Sequence, residues 1–214
     1  MTPREKALTN IPEAKKWVGA AVTALNFVIG FNGKRSEIDN LPHFKALKTH
    51  FHVSLGPPPG VVDRLLRLLP FVDGDPTLAI LKDIRFNYFS ILGALARDSI
   101  FIDAPAEGEG AKATAFVPQR RDGTLRITPL YMNVGQLNQT LVLVHESAHF
   151  IGDAFQDFAY RDRTGIDPND PTKEVEPRKY IDLPVQFAIR NADSYAYFAV
   201  QMGKGIDRIL GQEE

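Results

Sequence analysis

The segment Leu141-Val-Leu-Val-His145-Glu146-Ser-Ala-His149-Phe-Ile-Gly152 places two imidazoles four residues apart, with a carboxylate directly after the first. On a helix, residues four apart stack on one face, so both histidines can reach a single zinc ion. Glu146 then projects beside the metal, where it can act as general base on a zinc-bound water. Zinc lowers the pKa of such a water to about 7, within reach of a nearby carboxylate. The surroundings suit a buried helix. The segment is apolar on its N-terminal side, small at Ala148, and stopped by Gly152, a residue type common just past a helix end.

A catalytic zinc needs a third protein ligand and one open position. Asp153, Asp157, Glu174, Glu176 and Asp193 are the downstream candidates. If the helix continued, Asp153 would lie about 12 Å along the axis from His145, beyond the reach of a short side chain. A chain that turns at Gly152 can bring a carboxylate back a few residues later, which favours Asp157. His43, His50 and His52 form a second histidine group, read as packed or surface residues rather than a metal site. The carboxylates Asp167, Asp170, Glu174 and Glu176 lack calcium-loop spacing and suggest at most a lip to a cleft.

The elements that must position these residues follow from periodicity. Ile11 to Gly30 carries a buried stripe at helical spacing, and residues 36–52 read as a second, less regular helix. Pro57-Pro58-Pro59-Gly60 breaks the chain before a short apolar segment, Val61–Leu69. Asp75-Pro76 is an N-cap and first-turn pair that opens a helix running to about Leu95. Ser99–Asp103, Ala113–Val117 and Leu125–Met132 read as strands, with Asp122-Gly123 as a turn signal between the last two. The metal-binding helix covers about Gln139–Ile151, a Pro- and Asp-rich loop covers Arg161–Lys179, and a final helix spans Pro184–Met202. The expected architecture is α+β in a single domain, 1–214: residues 1–97 are mainly helical, and residues 98–214 carry the sheet and the zinc site.

Beyond H-E-x-x-H, three stretches resemble the aspzincins, the deuterolysin and peptidyl-Lys metalloendopeptidase family. Asp157-Phe-Ala-Tyr160 looks like that family's Asp-x-x-Tyr element, and Arg126-Ile-Thr-Pro-Leu-Tyr-Met132 resembles its edge strand. Asn191-Ala-Asp-Ser-Tyr-Ala-Tyr-Phe-Ala199 resembles its C-terminal Asn-Ala-Asp helix. The resemblance covers roughly residues 85–203 and implies a zincin-like fold and a zinc metalloendopeptidase with one Zn2+. It implies His145, His149 and Asp157 as ligands, Glu146 as general base and Tyr160 as hydrogen-bond donor to the oxyanion. It also implies that Asp193 lines the substrate pocket. There a second acid three residues on would complete a lysine site, but Ala196 stands at that position, so at most a mild preference for basic residues is expected. The chain departs from the family in lacking Gly-Thr before Asp157, in carrying Arg161 where Gly is usual after the tyrosine, and in having no cysteine for the usual disulfides.

Bulk properties exclude several classes. With no cysteine, thiolate zinc sites, cysteine nucleophiles and disulfide scaffolds are ruled out. A net charge of −1 gives no field to recruit nucleic acid or an anionic membrane, and pairs such as Lys34-Arg35 and Arg120-Arg121 read as solvated surface. The apolar run Trp17–Phe31 is too short to span a bilayer, and Glu5 and Glu13 ahead of it do not suit a signal peptide. The expected partner is therefore a peptide or protein substrate, met by a soluble protein that is cytoplasmic or exported by a non-Sec route. Two other readings share the sequence: a proteolytic toxin or effector domain with one narrow target, and a catalytically silent binding protein. The intact Glu146 ranks the last of these lowest.

Overall fold

Helix α1, Pro3–Ile29, begins eight residues before the apolar stripe because its first turn is built to start there. Thr2 and Glu5 form a reciprocal capping box: the Thr2 hydroxyl accepts the Glu5 N–H at 3.2 Å, and Glu5 Oε2 accepts the Thr2 N–H at 2.8 Å. The computed structural model describes residues 1–56, 71, 74–105, 107–110, 112–159, 166–167, 170–174 and 180–205. The apolar segment Val61–Leu69 lies outside the described residues.

The expected 36–52 helix is split into α2, Arg35–Ile38, and α3, Pro42–Phe51. Pro42 explains the break, since it has no N–H to continue a helix and holds Leu41 extended, with ψ 130°. Helix α4, Pro76–Leu95, starts where its cap predicts: Asp75 accepts the N–H groups of Thr77 and Leu78 at 2.8 and 3.4 Å. The same carboxylate pairs with the buried Arg35 guanidinium, so one ion pair ties α2 to the start of α4.

The three expected strands are present but short: β1 Phe101–Asp103, β2 Ala115–Phe116 and β3 Leu125–Ile127. The order is β1-β3-β2, with β1 parallel and β2 antiparallel to β3. The segment expected to be an edge strand is therefore central, and β2 is an edge. Strand β3 stops well before Met132 because Pro129 cannot donate to a ladder. Thr128 instead caps a 3-10 turn over Pro129–Asn133, its hydroxyl accepting the Leu130 N–H at 3.2 Å. The turn between β2 and β3 contains Gly123 at φ +78°, a conformation that favours glycine. Within the expected 161–179 loop, β4 Ile166–Asp167 pairs antiparallel with β5 Asp170–Glu174.

Helix α5, Gln136–Ile151, carries the motif. A buried amide network fixes its start to α1: Asn10 Nδ2 donates to Tyr131 Oη at 3.1 Å and to Gln139 Oε1 at 3.0 Å, and Gln139 Nε2 donates to the Tyr131 carbonyl at 2.8 Å. Burial pushes the Tyr131 hydroxyl up to about 12, so it stays neutral within that network. The expected Pro184–Met202 helix is also two: α6 Val185–Ala188 and α7 Ala192–Lys204, separated by an extended Asn191. Helices α1, α4 and α7 all pack on α5, and one contiguous apolar cluster runs from Ala7 on α1 to Val200 on α7. No described helix is long and apolar enough to cross a membrane.

Candidate metal centre and its cleft

His145 and His149 sit one turn apart on α5, both with rings turned toward the floor of a cleft of about 1110 Å³. The chain leaves the helix at Gly152, in an extended conformation (φ −179°) that any residue could adopt. It then doubles back. Phe155 packs into the core, and Asp157 returns to the histidines.

The resulting geometry is a triangle of donor atoms. His145 Nε2 and His149 Nε2 are 3.1 Å apart, and Asp157 Oδ1 lies 3.2 and 3.1 Å from them respectively. Each ring's other nitrogen has an acceptor. His145 Nδ1–H donates to Asp193 Oδ1 at 2.7 Å, and His149 Nδ1–H donates to the Phe155 carbonyl at 3.1 Å. Both protons of the neutral rings are thereby assigned to Nδ1, and both Nε2 lone pairs face one another and a carboxylate oxygen. Three lone pairs at contact distance repel unless a proton or a cation sits among them. Tetrahedral zinc with bonds of about 2.0–2.1 Å has ligand–ligand edges of roughly 3.3–3.4 Å, close to these separations. The donor set, two imidazoles and one carboxylate, is one that zinc accepts. Among the described residues it is the one group of three such side chains that could hold a metal ion.

The electrostatics follow from burial and from these contacts. Burial opposes charge on both histidines, yet the facing Asp157 carboxylate, with Asp193 behind His145, raises both above the ordinary imidazole value. Burial likewise opposes charge on Asp157, and the two rings outweigh it, holding this carboxylate well below its usual range. Glu146 is shifted the other way: burial raises it, only partly offset by the two histidines and the Val117 N–H. Its Oε1 lies 4.0 Å from His145 Nε2, on the same cleft floor.

The other candidates are placed differently. Asp153 is 86% exposed at its side chain and pairs with Arg121 at 2.5 Å, away from the histidines. Tyr160 and Glu176 lie outside the described residues, as does the side chain of Glu174. Asp193 borders the cleft but is 4% exposed, and its carboxylate holds the ring of His145 from behind rather than standing in the pocket. Ala196, three residues on, is fully buried. His50 accepts the Tyr180 O–H at Nδ1 (2.9 Å) and donates from Nε2 to Gln201 Oε1 (2.7 Å), while His52 donates to the Tyr180 carbonyl (2.8 Å). His43 packs on the Phe27 ring, so the second histidine group is used in packing. Sequence reasoning missed the Phe155 carbonyl and Val117 N–H, backbone groups without a residue-type signal. It quoted Asn191 without giving it a task.

No protein-family model matches this chain, and no curated protein matches it by sequence. Among solved structures the chain is similar to a zinc peptidase from Grifola frondosa: TM-score 0.53 and 16% identity, covering 92% of this chain and 94% of that one. At that identity the likeness concerns the fold, which is helix-rich with a small three-stranded sheet.

Proposed function

We propose that the protein is a zinc metalloendopeptidase of the aspzincin type, with a zincin-like fold and with His145, His149 and Asp157 holding one Zn2+. The observation that carries this reading is the convergence of three lone pairs from these side chains beside a buried carboxylate, Glu146, at the floor of an open cleft. The fold likeness to a zinc peptidase supports the same reading. Zinc held there supplies Lewis acidity, lowering the pKa of water to about 7 and drawing charge from a carbonyl oxygen. Glu146 accepts the proton of the attacking water on a carboxylate oxygen and returns it to the leaving amine nitrogen, which balances the hydrolysis. Its raised affinity for a proton suits both transfers. The Val117 N–H steadies that carboxylate next to β2, against which an extended peptide can lie. Tyr160, three residues after Asp157, is the proposed donor to the oxyanion.

The test pairs two measurements on one preparation: bound zinc after reconstitution, and hydrolysis of casein. One zinc per chain with turnover supports the reading. Zinc without turnover on any protein substrate points to a silent binding protein, and metal content near zero in excess zinc overturns the site altogether.

A further inference from the structure

The loop that returns Asp157 to the histidines has no regular structure of its own, so its geometry must be imposed from outside. The break between α6 and α7 imposes it. A continuous helix through 190–192 would use the Arg190 carbonyl and the Ala192 N–H internally. Because the helix is interrupted, the Arg190 carbonyl accepts the Gln156 N–H at 3.0 Å, and the Gln156 carbonyl accepts the Ala192 N–H at 3.2 Å. Gln156 thus bridges to Asn191 on one side of Asp157. On the other side, the Asn191 Oδ1 accepts the Ala159 N–H at 3.2 Å. Both Asn191 and Ala159 are fully buried, so an apolar residue at 191 would leave that N–H without a partner. The amide is oriented by its other end, whose Nδ2 donates to Ser194 Oγ at 3.2 Å. Two residues on, in the first turn of α7, Asp193 Oδ1 accepts the Nδ1–H of His145 at 2.7 Å. The helix N-terminus favours its charge.

We infer that Asn191 and Asp193 act together as one positioning device for the metal site, Asn191 fixing the loop that carries Asp157 and Asp193 fixing the ring of His145. Two of the three donor atoms are thereby referenced to a single element, α7, itself anchored by the buried Tyr195, Tyr197 and Phe198. Neither residue touches the ion; both act through a ligand. The inference rests on the zinc reading above and assigns these two residues to the ion's geometry rather than to the substrate.

Zinc affinity, measured by chelator competition on the full chain, is the readout. Asn191→Ala and Asp193→Asn should each weaken zinc by about 10–100-fold, the range for losing a partner behind a metal ligand. In an Asp157→Ala background, Asn191→Ala should change affinity by less than about two-fold, because the residue it positions is gone, whereas Asp193→Asn should still weaken it. The visible spectrum of the cobalt-loaded Asn191→Ala protein should move toward that of Asp157→Ala. Asn191→Asp should restore affinity, since a carboxylate oxygen can accept the Ala159 N–H and the Ser194 hydroxyl can turn to donate to the other. This rescue also separates positioning from simple failure to fold. Equal losses from Asn191→Ala in both backgrounds, or wild-type affinity in both single variants, would overturn the inference alone. A wild-type chain that binds no zinc overturns the metal site, and the inference with it.

Discussion

Asp157 and Glu146 are two buried carboxylates on one cleft floor, held in opposite proton affinities by what faces them. Asp157 meets two imidazoles, which outweigh its burial and keep it ionised, as a ligand must be. Glu146 is raised by burial, with Asp157 adding to the shift, as a group that takes and returns a proton needs. Glu146→Gln should therefore keep its zinc, measured by metal analysis, while turnover falls by at least about 10²–10⁴-fold; substantial residual hydrolysis would assign the base elsewhere. Asp157→Ala should lose zinc strongly and Asp153→Ala should not, because Asp153 faces solvent and Arg121. Specificity belongs to this scale as well. With Asp193 committed to His145 and Ala196 buried, no carboxylate of that pair stands free for a lysine, while Lys112 and Arg121 border the cleft. Mapping cleavage sites on a digested proteome by mass spectrometry should show no enrichment of lysine after the scissile bond. Strong enrichment would mean that another acid fills the pocket. The histidine pair and Glu146 could be read from sequence because a helix fixes their relation within four residues. The task of Asp193 could not, because its partner lies 48 positions away and only the packing of α7 on α5 brings them together.

The elements themselves differ in how legible they were, and the reason is local in each case. The start of α4 is written in Asp75-Pro76, whereas the break before α7 is masked by an apolar periodicity that runs straight across it. What interrupts that helix is competition from Gln156 for its backbone groups, a tertiary effect. Helix α7 also approaches α1 so closely at Gly203 that a Cβ there would lie 2.5 Å from Trp17 Cδ1 and 2.8 Å from its Cα. The second of these is backbone and cannot swing aside. Gly203→Ala should thus destabilise the protein by about 1–3 kcal/mol in urea unfolding, and zinc affinity should fall too if α7 shifts as a body. A neutral result would show that the two helices can part without cost. The end of α3 gives a pH test. Burial lowers the pKa of His52, opposed by its bond to the Tyr180 carbonyl and by Asp182. The unfolded chain then takes up a proton near pH 6.5 that the folded chain does not, so stability present above that pH is lost as pH falls below it. His52 has φ +54°, so asparagine is the substitution that tolerates the backbone. His52→Asn should unfold with a shallower loss of stability between pH 7.5 and 5.5 than wild type; equal slopes would remove His52 as the cause.

At the scale of the whole molecule, the metal is a guest in a structure that does not need it. The apolar cluster joins α1, α3, α4, α5 and α7 with the sheet, and its largest members, Trp17, Tyr88, Tyr195 and Phe198, pack apart from the ligand triangle. Small metal-stapled domains lack such a core and unfold when the ion leaves, because binding free energy is most of their folding free energy. Here removal of zinc should cost only the linkage term, about 4 kcal/mol when free zinc stands a thousand-fold above its dissociation constant. For a chain of this length that is a fall in Tm of roughly 8–16 °C. The metal-free cluster also keeps a favourable alternative to the ion, since a proton can sit among the two Nε2 atoms and Asp157 Oδ1. Chelation should therefore abolish hydrolysis while the far-UV circular dichroism spectrum and a single cooperative unfolding transition persist, and added zinc should restore both the Tm and the activity. Loss of helical signal on chelation would instead make the ion a structural staple, and the extent of the apolar core would then be a poor guide to where this protein's stability lies.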